Sequence, residues 1–302
     1  VTLYARGYRK HEQGLDGKGP RWLPILSEGY RDAVKGKAFR RFTLLFTIIL
    51  VFHCLWLYFS PEQILRAFTG RATDGGADSL LTATVTFFFV RSISFLVPLL
   101  AVFVASGLIA EDLRTRALPL YLVRAITPFD YLIGKMLIPV ATLAWSVLGP
   151  LLFLVLFDAL LQPSDEMLPF LGRQVPLLLA ILGTWTLMAF SYSSVALLVS
   201  TLTGRRIPAL ILGAAVFVGG SIVSGISHAM PNGGPAGLRA LALTADVRVV
   251  FEHMLGDRAV EFARDQTRAL PSAVWAYVML LLPIGLASFV VLRRASTVEV
   301  TS

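Results

Sequence analysis

The chain has 302 residues, of which 56% are hydrophobic and only 15% charged. Soluble domains run closer to 45–50% and about 25%, and a soluble fold this apolar would expose large apolar patches. The composition therefore excludes a pair of soluble domains, a disordered chain and a collagen-like repeat, and the single Cys54 excludes a disulfide scaffold. A formal net charge of +8 points first to the cytoplasmic face of a bilayer rather than to nucleic acid.

In chain order, the first forty residues are polar and basic and lack an apolar core near the start, which predicts no cleavable signal peptide. Within residues 22–41, Trp22, Ile25, Leu26, Tyr30, Ala33, Val34 and Ala38 recur at helical spacing, with Glu28, Arg31, Asp32 and Lys35 opposite. This predicts an amphipathic helix at the inner interface, with a solvated basic tail as the alternative reading. A spanning helix needs about 20 largely apolar residues, and six stretches qualify: 42–59, about 84–110, about 128–161, 176–202, 207–226 and 272–292. The hydrocarbon part of the third starts near Met136. The fourth and fifth are separated only by Thr203, Gly204, Arg205 and Arg206, a tight hairpin. Of the 27 Lys and Arg, eighteen fall on one side when both termini are placed in the cytoplasm, which sets that orientation. Two larger loops then lie outside, 60–83 and 228–271. The second opens with a Gly- and Pro-rich turn signal and carries an apolar stripe of Val247, Val250, Phe251, Met254 and Leu255. The stripe predicts a short helix resting on the outer interface or dipping into it. The fold class is thus all-α and polytopic: a basic segment and interfacial helix (1–41), a six-span domain (42–292) and a short cytoplasmic tail (293–302). Neither an internal repeat nor a low-complexity tract is visible.

Catalytic signatures are missing. There is no phosphate-binding G-x-x-x-x-G-K-[ST] loop and no H-E-x-x-H, and four histidines with one cysteine give no metal-ligand spacing. Gly219-Gly220-Ser221 is similar to the G-x-S of intramembrane serine proteases of the rhomboid kind. A nucleophile needs a histidine within hydrogen-bond reach, and His228 lies seven residues on along the same helix while nothing orients His53. Close helix packing explains the segment better: Ala215, Gly219, Gly220, Ser221, Ser224 and Gly225 form small-xxx-small pairs. Arg91 and Asp158 fall near the outer ends of the second and third spans. They predict an intramembrane pair, with Arg91 snorkelling alone as the alternative. No series of carboxylates crosses the spans, which weakens a self-contained, proton-driven carrier.

The most informative segment links the second and third spans. It is a charged exit (Glu111, Asp112, Arg114, Arg116), a short apolar stretch (Leu118, Leu120, Tyr121, Leu122), Arg124, and then a helix start with Thr127 as N-cap, Pro128 in the first turn and Asp130 closing a capping box. Those four apolar side chains need lipid or a protein partner to cover them. Here the chain resembles permease subunits of ABC-2-type ABC exporters. Their typical pattern, A-E-E-x-x-x-G-T-L-x-x-L-L-x-x-P-x-x-R-x-x-Y-x-x-G-K, aligns without gaps on Ala110, Glu111, Leu118, Leu122, Tyr131, Gly134 and Lys135. Asp112 replaces the second Glu, Arg116-Ala117 replaces Gly-Thr, Ala125 replaces Pro and Phe129 replaces Arg. The resemblance implies a chain without catalytic residues, cofactor or metal of its own. It implies half of a homo- or heterodimeric permease in a prokaryotic inner membrane, seated on two copies of a separate ATP-binding subunit that carries ATP and Mg²⁺. The link 111–127 would then be the coupling segment, with Glu111, Asp112, Arg114, Arg116 and Arg124 flanking the docked apolar residues. The fifth span would supply dimer or path packing.

Overall fold

The computed structural model describes residues 20–59, 77–115, 127–230, 238, 240–256 and 272–299. Among them every regular element is helical. Helix α1 (Leu23–Lys35) breaks at Gly36 and leads into α2 (Lys37–Phe59). Then follow α3 (Ala77–Ile93), α4 (Leu96–Ala105) and the one-turn α5 (Ala110–Arg114). Helix α6 (Pro128–Leu143) passes through a π turn (Ala144–Leu148) into α7 (Gly149–Leu161). After the short α8 (Met167–Arg173) come α9 (Val175–Thr203), α10 (Arg206–Ala229), α11 (Leu243–Leu255) and α12 (Ala273–Glu299).

Six helices are long and apolar enough to cross a membrane: Lys37–Phe59, Leu96–Arg114, Pro128–Leu161, Val175–Thr203, Arg206–Ser227 and Ala273–Arg294. The chain is a multi-pass membrane protein by this measure, and large apolar side chains such as Leu44, Ile48, Phe52, Ile207 and Ile211 face outward. Helix α9 is the hub. It packs against α4, α6, α10, α11 and α12, while α2, α3 and α7 form a second group beside it. The hairpin between α9 and α10 is as tight as the sequence predicts. Gly204 adopts the left-handed conformation (φ 61°) and caps α9 by donating its N–H to Ser200 O, a geometry that favours glycine.

The second span differs from its sequence reading. The stretch expected as one helix over about 84–110 is broken at Ser94–Phe95 into α3 and α4. The cause is local: Ser92 Oγ donates to Phe88 O (2.8 Å) and Ser94 Oγ to Arg91 O (2.7 Å), bonds with which serine competes against the helical ladder. Pro98 then falls in the first turn of α4, where its missing N–H costs nothing.

The end of the bundle that carries α1, the described residues flanking the 116–126 link and the α9–α10 hairpin is termed basal, and the opposite end distal.

Candidate functional site: a basal clamp around the link

Residues 116–126 lie outside the described residues, so the expected docking side chains Arg116, Leu118, Leu120, Tyr121, Leu122 and Arg124 are not placed. Both roots of the link are. On the upstream side, the turn from Ser106 to Ile109 frees backbone groups that Ser200 of α9 takes up: its Oγ donates to Ser106 O (2.9 Å) and accepts from Ala110 N (3.0 Å). On the downstream side, the capping box forms as the sequence predicts. Thr127 Oγ1 accepts from Asp130 N (3.1 Å), and Asp130 Oδ2 accepts from Thr127 N (3.2 Å).

The two roots are tied to each other. Asp112, on α5, accepts from the Tyr131 hydroxyl at 2.7 Å and pairs with Lys135 Nζ at 2.7 Å. Lys135 also lies over the Tyr131 ring, 5.6 Å from its centroid. The pair is largely withdrawn from solvent, with 9% and 14% of the Lys135 and Asp112 side chains exposed. Such a pair holds geometry, and breaking one side is costly because the other charge is left stranded. Next to it, α1 crosses α6 at close range. A Cβ on Gly134 would stand 2.9 Å from Ile25 Cβ, and a Cβ on Gly29 would collide with Ile138. Helix α1 thus buries Ile25 against α6. Gly134 and Lys135, two residues of the sequence pattern, therefore do different work: one admits α1, the other fastens Asp112. Glu111, Asp112 and Lys135 line a cleft of about 470 Å³ whose remaining ionisable walls are Glu28, Asp32 and Arg206. Arg114 closes the last turn of α5 and is exposed.

Elsewhere the structure separates residues that the sequence grouped. The Thr82 hydroxyl of α3 donates to Asp158 Oδ2, and Gln174 Nε2 stands 3.3 Å from the same hydroxyl. Arg91 is exposed and lies nine residues from Thr82 on the same helix, about 13 Å along its axis, close enough to Arg248 to act on it electrostatically. The small residues of α10 fall on two sides. Gly220 belongs to the buried side, where a Cβ would strike the Leu241 carbonyl, and Ser224 is buried with it. Ser221 and Gly225 are exposed, as is Ala215, and Cβ atoms on Gly219 and Gly225 would meet nothing. Ser221 Oγ donates to Phe217 O (2.9 Å) and lies 3.5 Å from Thr244 Oγ1. His53 is engaged elsewhere: its Nδ1 is 2.8 Å from Ile49 O, and its ring packs edge-on against Phe89. The described residues hold no cluster able to bind a metal.

Sequence reasoning missed Ser200 and Asp246. Neither has a local signature, because each matters through an element far away in sequence.

No protein-family model matches this chain, and no curated protein matches it.

Proposed function

We propose that this chain is the membrane-spanning subunit of an ABC-2-type ABC exporter, driven by ATP hydrolysis on a separate ATP-binding subunit. The observation that carries the reading is the clamp. Two residues of the sequence pattern, Tyr131 and Lys135, together with the Asp112 variant of its second acidic position, converge on one buried polar contact that ties together the roots of the 116–126 link, while a third, Gly134, admits α1 beside it. A free loop needs no such fastening. A segment that receives mechanical work from a partner does, because an unanchored link would absorb the motion. The partner would take Leu118, Leu120, Tyr121 and Leu122 into a groove, and the ionisable rim of the neighbouring cleft would orient it. Two partner copies imply two permease copies, packed along the outward side of α10. Export follows from the same resemblance, and the cytoplasmic placing of both termini from the distribution of Lys and Arg.

The deciding experiment is the double substitution Leu120→Ser with Tyr121→Ser, made in a strain that co-expresses an ATP-binding subunit sought among the genes neighbouring this one. Burying such an apolar side chain contributes about 1.5–3 kcal/mol, so losing two weakens docking by roughly two to four powers of ten. The expected result is a permease that inserts normally but no longer co-purifies with the ATPase. Undiminished co-purification overturns the reading.

A self-contained proton-coupled carrier is the second reading, and a specific residue favours it: the buried carboxyl of Asp246. ATP-independent transport by the chain alone in proteoliposomes would select it.

A further inference from the structure

Beyond α10 the chain re-enters the bundle. The Leu241 carbonyl lies against Gly220, nine residues and about 13 Å below the distal end of α10. The Tyr192 hydroxyl is 3.4 Å from Leu243 O, while Met254 Sδ is 3.6 Å from Thr184 Oγ1. Helix α11 therefore begins beside the middle of α9 and climbs back along it. Its 13 residues cover about 19 Å, and it is not one of the six spanning helices. Buried neighbours surround it, with α9, α10, α12 and α3 all in contact.

One turn above the start of α11 stands Asp246. Its exposure is 0%, and among the described residues neither carboxylate oxygen has a hydrogen-bond partner. Arg248 is two residues further on, and side chains at that spacing do not face each other on a helix; its Nε is itself buried with no hydrogen-bond partner among the described residues. The other titratable groups around this seat are Glu252 and His253 on α11, Tyr192 on α9, Arg91 on α3 and Tyr277 on α12, whose hydroxyl is 3.4 Å from His253 Nδ1. At this level α10 presents serines and glycines among the described residues. An ionised carboxylate without hydrogen bonds in such a place is so costly that the group takes up a proton instead. The amino end of α11 favours the charged form only weakly, which does not offset the loss of water.

We propose that Asp246 is a proton-binding site, and that its bound proton keeps α11 seated between α9, α10 and α12. Burial pushes the seated carboxyl up to about 8, against an ordinary value of 3.8. Between those two values the seated state holds one proton more than the unseated state. Rising pH then weakens the seat about tenfold per unit, and the effect levels off above about pH 8. Thr244, Val247 and Phe251 of α11 form one wall of a narrow cavity closed opposite by Trp185, Ser94 and Val147. Losing the proton thus removes one side of this cavity's lining.

The test is amide hydrogen exchange of residues 243–255 in the full chain, reconstituted in nanodiscs between pH 5.5 and 8.5 and corrected for intrinsic exchange. Protection of α11 in the wild type is expected to fall about tenfold per unit up to pH 7.5 and to flatten above 8. Asp246→Asn should hold it level, and Asp246→Ser serves if the Asn variant does not fold. A level wild-type profile overturns the proposal. So does a slope that survives in Asp246→Asn, one that vanishes in His253→Gln, or one shared by peptides of α7. The measurement needs neither an ATPase nor a transported substrate, so it fails or succeeds apart from the exporter reading.

Discussion

Lys135 and Asp112 stand 23 residues apart in sequence and 2.7 Å apart in space. Asp112→Ala removes the ion-pair partner of a lysine whose side chain is 9% exposed and an acceptor of the Tyr131 hydroxyl. Bonds to charged groups contribute about 1.5–3 kcal/mol each, so thermal unfolding in detergent should show a loss of that order. Adding Lys135→Met should recover part of it, because the second substitution removes a largely buried charge that has lost its carboxylate. Additive losses in the double variant would mean that the two residues act separately. At this scale the sequence is legible only in part. It marks Asp112 as a flanking charge of the link, whereas its partners are internal. Asp246 illustrates the same limit. The apolar stripe of α11 identifies one buried face, but a stripe carries no information about a second neighbour behind the polar face.

Local signals are read best at the scale of the element. The Thr127 capping box, the Gly204 turn and the helical course of 243–255 all follow from residues within a few positions of one another, and all are present. The break in the second span escaped because hydropathy averages over Arg91, Ser92 and Ser94, while the serine-to-carbonyl bonds that end α3 act one turn at a time. Helix α10 shows the complementary failure: six small residues look alike in sequence, yet one side of the helix is packed and the other open. The contrast is testable. Gly220→Leu forces a side chain into the Leu241 carbonyl and should lower stability by about 1–3 kcal/mol. Gly219→Leu should leave unfolding within about 0.5 kcal/mol of wild type but reduce the share of the proposed dimer, read by native mass spectrometry. If Gly219→Leu leaves dimerisation untouched, the seam runs elsewhere.

For the molecule as a whole, six apolar segments and their order are legible because lipid imposes one simple demand, about 20 apolar residues per crossing. How the helices pack around α9 is not, since neighbours in a bundle are chosen by shape. The distribution of Lys and Arg predicts the orientation, and cysteine labelling in intact cells checks it. With Cys54 replaced, a cysteine at Met230 should react with an impermeant reagent and one at Arg205 should not. Labelling at position 205 would reverse the arrangement of both ends.

The seat of α1 on α6 also sets a timetable. Gly29 and the residue it meets, Ile138, are separated by 109 positions. At about 5–20 residues per second, a ribosome needs roughly 5–20 s to deliver the second after the first. For that interval Ile25 and its neighbours have no protein surface to cover them. The membrane interface that their spacing suits is the nearest shelter. The amphipathic pattern of α1 thus describes where the nascent helix waits, and Gly29 and Gly134 describe where it goes once the third span has been made.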